Sequence, residues 1–397
     1  MASHKQPELN ETQFSTPPVA EKQSHITEIH DLQLEDDYFW MRLSDEQKEA
    51  TEPDAQTSKV VDYLNAENAY KTEVMKGTES FQETLFNEIV GRIKQDDQSV
   101  PLLDKGYYYY SRYEEGKEYA IYCRKPGSLE AEEQVMLNVN EMAEGFSYYA
   151  LGGQSISTNN NLLAFSVDTV SRREYTLQFK DLSTGEILAD RIPGTTGGAT
   201  WANDNKTVFY SKKDPVTLRS SRIFKHVLGT DSSDDVMIYE ETDETFGCGI
   251  GKSKSEQYLM LASYSTVSNE WRYLDANTPN GEWKVIQPRE RNLEYSCSHY
   301  GDHFYITTNR DAKNFKLVRT PVTATTYENW EDVLPHRDET LLEGVDIFKD
   351  YLVVSERTEG LNQIRIKRWD DAADYYIQFP DPAYSAYVGA NPDFNTQ

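Results

Sequence analysis

The chain has 397 residues, with 67 acidic and 40 basic side chains and a formal net charge of −27. At about 150 residues per domain this length predicts two or three domains or one repeat array, and 38% apolar residues exclude wholesale disorder. The acidity argues against a nucleic-acid partner, which needs clustered Lys and Arg, and no run approaches the ~18 apolar residues of a membrane span.

Residues 1–25 are polar, contain Pro17-Pro18 and lack periodicity, so a disordered arm is expected there. The opening MASHKQPELNETQF has no apolar core of a secretory signal. Cys123, Cys248 and Cys297 are too few and too scattered for a disulfide framework; they read as small core residues. Together these features predict a soluble cytoplasmic protein.

Residues 26–100 read as a helical N-terminal extension. It opens on an acidic-aromatic cluster, Glu35-Asp36-Asp37-Tyr38-Phe39-Trp40-Met41-Arg42, whose large side chains must pack on something. A helix is predicted over roughly 55–75, with Val60, Val61, Leu64, Ala69 and Tyr70 on one stripe. A second is predicted from Ser80, with Glu83 completing a capping-box pattern. Its Phe81, Leu85, Ile89 and Ile93 repeat every four residues, and it ends near Gln95-Asp96-Asp97.

From Tyr107 the texture becomes short β-rich runs between polar turns. YYYYS, LLAFS, TVFYS, LMLAS, FYITT and YLVVS recur, each read as the inner strand of a unit and each with a Ser or Thr at or near its end. The spacings from Ser111 through Ser166, Ser211, Ser263 and Thr307 to Ser355 are 55, 45, 52, 44 and 48 residues. Second strands such as YAIYCRK and YTLQFKD follow, then weaker third strands. This period predicts a β-propeller over 101–397, in preference to a β-sandwich pair. Six blades and the start of a seventh are expected, because SAYVGANPDFNTQ resembles the run-in to another inner strand.

Motifs for chemistry are sparse. The nearest approaches to a Gly-x-Ser-x-Gly nucleophile elbow, around Ser155 and Ser253, lack the final Gly and sit among strands, with no helix pattern to follow. His299 and His303 are four apart, but a Tyr-Gly-Asp turn separates them, so no metal site is expected. No phosphate-binding glycine loop is present, and no cofactor is expected. Gly247 to Gly251 reads as a turn between blades. Arg172-Arg173, in the loop from Asp168 to Glu174, stands out in so acidic a chain. Its ordinary reading is a solvated hairpin loop, and its functional reading is a docking contact on a propeller rim.

From about His30 to Asn395 the chain resembles the oligopeptidase B branch of the prolyl oligopeptidase family of serine peptidases. EDDYFWMR, YLNAENAY, EIVGRIKQDDQSVP, KGYYYYSRYEEGKEYAIYCRKPGS and GTTGGATWANDNKTVFY carry the resemblance. It implies a helical extension, a seven-bladed propeller that filters substrate by size, and an α/β-hydrolase domain that cuts short peptides after Arg or Lys. That last domain is absent here, so no catalytic residue carries over and the chain reads as a truncated portion. Trp40, Arg42, Arg172 and Arg173 are expected interdomain contacts, and short basic peptides the expected partners. The competing reading is a stand-alone propeller that binds peptides or proteins.

Overall fold

The computed structural model describes residues 16–396; the expected disorder over 1–15 lies outside the described residues. The chain divides into two compact units, Met1–Lys94 and Gln95–Gln397.

The N-terminal unit holds a feature that the sequence reading missed. His25–Ile29 and Leu32–Asp36 pair as an antiparallel hairpin, so the expected arm becomes a strand at His25. Its turn residues, His30 and Asp31, both adopt positive φ (51° and 62°). Two-residue turns of this kind favour Asn-Gly or Asp-Gly, and His-Asp does not announce one. The acidic-aromatic cluster packs as expected: Phe39 stacks on His25 with 3.8 Å between ring centres.

The helix Ala55–Met75 starts where Asp54 accepts the Thr57 N–H at 2.7 Å. Thr57 and Val60 are its buried residues, whereas Val61 and Leu64 of the predicted stripe are exposed. The second helix, Glu79–Gly91, continues directly from a 3-10 turn at Lys76–Thr78. Its N-cap is Thr78, so the expected box at Ser80 and Glu83 is not formed, and it ends about one turn before Gln95. A capping box does occur between Ser44 and Gln47, ahead of the short helix Asp45–Glu49.

The larger unit is a β-propeller of six four-stranded antiparallel blades among the described residues. The predicted recurrent runs all form strands, but each is the second strand of its blade. A first strand precedes every one: Leu102–Asp104, Ala150–Ile156, the end of Ile187–Trp201, Gly247–Lys252, Tyr295–Tyr300 and Thr340–Ile347. Blades 2 and 3 share one strand. Ile187–Trp201 pairs with Tyr175–Asp181 through its first half and with Thr207–Lys213 through its second, joining both blades into one seven-stranded sheet.

The second strands are legible because both their faces are buried. Leu163, Phe165 and Val167 pack towards blade 1, and Ala164 between them packs towards blade 3. The same alternation runs on: Val208 and Tyr210 face blade 2 while Phe209 faces blade 4, and Phe304 and Ile306 face blade 4 while Tyr305 faces blade 6. A continuous apolar run is what such a strand requires. At the ends of the arc the outward faces form their own clusters: Tyr110, Ile121 and Cys123 in blade 1, and Phe348, Val353 and Ile364 in blade 6. Residues 377–396 hold no strand among the described residues. Ala386 and Val388 instead pack on the blade 6 cluster, so irregular chain alone represents the expected seventh blade.

Candidate functional site

The first strands run into hairpin turns, and these turns converge on a cavity of about 580 Å³. Asp104 and Lys105 of blade 1, Lys252 to Glu256 of blade 4 and Asp393 of the C-terminal segment line it. The centre of the site is the blade 4 turn, built from the Lys-Ser-Lys-Ser-Glu run that resembled a nucleophile elbow. Ser253 N–H donates to the Tyr258 carbonyl at 2.8 Å, and the Tyr258 N–H donates to Ser253 Oγ at 3.1 Å. Glu256 adopts φ of 58°, and its N–H donates to the Ser253 carbonyl at 2.8 Å. Ser253 is thus a turn-forming residue between two strands. Ser155 lies within the first strand of blade 2, and its carbonyl accepts from Trp201 Nε1 at 2.9 Å.

This one turn touches all five other blades. Lys105 of blade 1 pairs with the Glu256 carboxylate. Lys252 Nζ donates to Thr158 Oγ1 of blade 2 at 2.9 Å. Asn203 of blade 3 donates to the Glu256 carbonyl at 3.0 Å. Ser255 Oγ lies 2.8 Å from His299 Nδ1 of blade 5. Lys254 meets Asp346 of blade 6 at 2.5 Å and sits 3.8 Å above the Phe348 ring. Lys252 adds a looser contact to Glu256 at 3.7 Å.

Burial sets the electrostatics. It raises the Asp104 carboxyl above the usual range; Lys105 opposes this, while Glu256 and Asp393 add to it. Burial lowers the Lys252 ammonium against the opposing pull of Glu256. Burial likewise lowers His299, favouring the neutral ring. A second cavity, of about 370 Å³, shares Lys252, Ser253 and Lys254 with the first. Cys297, His299 and Asp346 line it.

The residues predicted to act together lie in different places. Trp40 and Arg42 belong to the N-terminal unit: Trp40 Nε1 donates to the Glu21 carbonyl at 2.9 Å under Lys59, and Arg42 is exposed. Arg172 and Arg173 belong to the propeller and are both exposed, and the Arg173 carbonyl accepts from Lys213 at 2.8 Å. His299 and His303 lie on adjacent paired strands, His299 opposite Phe304 and His303 opposite Tyr300. Among the described residues no group of three or more His, Cys, Asp or Glu side chains is placed to hold a metal ion. None of the described helices is long and apolar enough to cross a membrane.

Four-stranded blades set around converging turns define a β-propeller domain. The chain belongs to the prolyl oligopeptidase N-terminal propeller family: the pattern described as "Prolyl oligopeptidase, N-terminal beta-propeller domain" matches residues 17–397. Dipeptidyl aminopeptidase BI of Pseudoxanthomonas mexicana is 40% identical over 399 residues, covering 96% of this chain and 54% of the relative. Protease 2 of Moraxella lacunata is 30% identical, with coverage of 96% and 54%. Among solved structures, oligopeptidase B from Leishmania major aligns with a TM-score of 0.83 at 28% identity, covering 93% of this chain and 54% of that one. Oligopeptidase B from Trypanosoma brucei with covalently bound antipain gives 0.84 at 25% identity, with coverage of 96% and 56%. The chain therefore spans about half the length of the relatives it matches.

Proposed function

We propose that this chain is the filtering portion of an oligopeptidase B-like serine peptidase of the cytoplasm, which hydrolyses short peptides after Arg or Lys. The observation that carries the reading is the mouth of the propeller, where the blade 4 turn contacts the other five blades and lines two cavities of about 580 and 370 Å³. The net charge of −27 supports cationic peptides as substrates. Filtering requires no nucleophile in this chain, and hydrolysis requires a catalytic partner region. The name of the 40% identical relative favours a second reading for that region, release of dipeptides from a free amino end.

The test has two arms. Purified 1–397 leaves fluorogenic Arg and Lys peptides uncut; turnover blocked by a serine-directed fluorophosphonate would overturn that expectation. The complete reading frame is then assayed with amino-blocked Arg peptides, free dipeptidyl amides and a ladder of peptide lengths. Cleavage of blocked Arg peptides that falls off with length supports the proposal. Cleavage of free dipeptidyl amides alone selects the second reading, and equal cleavage of a folded protein would refute filtering.

A further inference from the structure

Ser255 lines the 580 Å³ cavity, and its Oγ lies 2.8 Å from Nδ1 of His299, which is 2% exposed. The Tyr258 and Phe304 rings cross the imidazole at 69°, 4.7 and 5.5 Å away between ring centres, and hold its plane. The neighbouring groups set the direction of the hydrogen bond. Ser253 Oγ accepts the Tyr258 N–H at 3.1 Å and lies 2.9 Å from Ser255 Oγ, which is the acceptor for its own proton. Ser255 in turn donates to His299 Nδ1. The reverse order would leave the Ser253 hydroxyl proton without an acceptor. Nδ1 is therefore the bare nitrogen, and Nε2, which has no hydrogen-bond partner among the described residues, carries the ring proton. Burial favours this neutral ring, with the Gly301 backbone and Asp302 opposing.

We propose that Ser255 is a covalent modification site for small activated acyl or phosphonyl donors, with His299 as its base. Ser255 Oγ attacks the electrophilic carbon or phosphorus. The new O–C or O–P bond forms, the bond to the leaving group breaks and the leaving group departs with that electron pair. The hydroxyl proton passes to His299 Nδ1 and from there to solvent. Lys252 and Lys254 line the same cavity and supply positive charge beside the oxyanion that develops. The Gly251 to Ser255 run that approaches a nucleophile elbow thus carries its reactive hydroxyl on Ser255, while Ser253 folds the turn. The inference stands apart from the filtering role, because it concerns a single capture event and needs no peptide turnover; either can fail alone.

The experiment treats 1–397 with a short-chain alkynyl fluorophosphonate, which loses fluoride on capture, and reads each serine by peptide mass spectrometry. Ser155 is the internal control: it lines the same cavity, and its Oγ bonds no histidine among the described residues. Ser255 is expected to label about a hundredfold faster than Ser155 at pH 7, the scale of general-base assistance. Its rate stays level as pH falls from 8 through the ordinary His range near 6.5 and declines below it, whereas an unassisted hydroxyl follows hydroxide, about tenfold per pH unit. His299→Gln lowers Ser255 labelling about a hundredfold and leaves Ser155 unchanged, with the urea midpoint reporting that the variant is folded. If that variant unfolds, the Ser155 comparison and the pH profile of the native chain decide. Equal rates at Ser255 and Ser155, or a Ser255 rate that climbs with hydroxide across pH 6–9, would overturn the proposal.

Discussion

Asp168 illustrates how single carboxylates hold the turns of this fold. It is 1% exposed and accepts three backbone N–H groups, from Val170 at 2.8 Å, Ser171 at 3.1 Å and Arg173 at 2.7 Å. Those bonds hold Ser171 and Arg173 at positive φ, 67° and 55°, and so present the exposed Arg172-Arg173 pair that stood out in the sequence. Burial alone would raise its carboxyl; the backbone N–H bonds outweigh burial and hold it low. Side-chain and backbone bonds from Ser183 and Thr184 depress Asp181, and backbone bonds from Thr217 and Val216 depress Asp214. Each group titrates lower folded than unfolded, so the unfolded chain binds more protons in acid. Their stabilisation is complete above the ordinary Asp range near pH 4 and is lost as pH falls through the lower folded values. Asp168→Asn is expected to cost about 1.5–3 kcal/mol at pH 7, the scale of a charge-assisted hydrogen-bond set. In urea titrations at 0.15 M salt its deficit should shrink as pH falls below the ordinary Asp range near 4. A deficit independent of pH would show that the charge of Asp168 does not stabilise the loop.

At the scale of elements, the sequence revealed one strand in each blade far better than its neighbour. LLAFS and TVFYS are apolar on both faces because a blade lies against each, and their Val, Phe and Tyr favour strands. The preceding strands face the channel on one side, so ALGGQSI and GCGIGK are small, polar and only half-buried. They carry neither an apolar run nor clean alternation. Glycine has a specific reason to be there. Gly197 adopts φ of 100°, and a Cβ on it would lie 2.9 Å from the Tyr175 ring. Gly197→Ala is expected to cost about 1–3 kcal/mol through backbone strain and this clash. Gly198, with open space around its Cβ position and no positive φ, is the control, and its alanine variant should stay within about 0.5 kcal/mol of native. Equal urea midpoints for the two variants would count against this account. The candidate site was less legible still. Lys105, Thr158, Asn203, Glu256, His299 and Asp346 come from six separate blades, and only the winding of the blades about one axis brings them together.

For the whole molecule the dominant quantity is charge. A net −27 sets up a field that extends beyond any single contact, and the Debye length of ~8 Å at 0.15 M salt grows to ~30 Å at 0.01 M. On the function proposed above, basic peptides should therefore approach the peptidase faster at low salt. Steering changes the on-rate more than discrimination at the scissile bond. The expected outcome is a kcat/KM that falls with ionic strength more steeply for a dibasic peptide than for a monobasic one. Parallel slopes would assign the acidity no part in substrate capture.

The strand shared by blades 2 and 3 also decides how the arc can breathe. Segments without strands separate the other described neighbours: 139–149, which includes the short helix Val139–Met142, between blades 1 and 2, 241–246 between 3 and 4, 288–294 between 4 and 5, and 335–339 between 5 and 6. Each is a place where backbone torsions can absorb a hinge. Ile187–Trp201 has no such strand-free gap: its two halves are committed to ladders on opposite sides, with register shifts around Thr195 between them. His226 reinforces the join, lying 2.7 Å from Asp235 and 3.1 Å from Asp190 of that shared strand. Blades 2 and 3 should consequently open as one cooperative unit in amide exchange, and any widening of the ring must be taken up elsewhere, at the looser joints on either side of this stiff third of the arc.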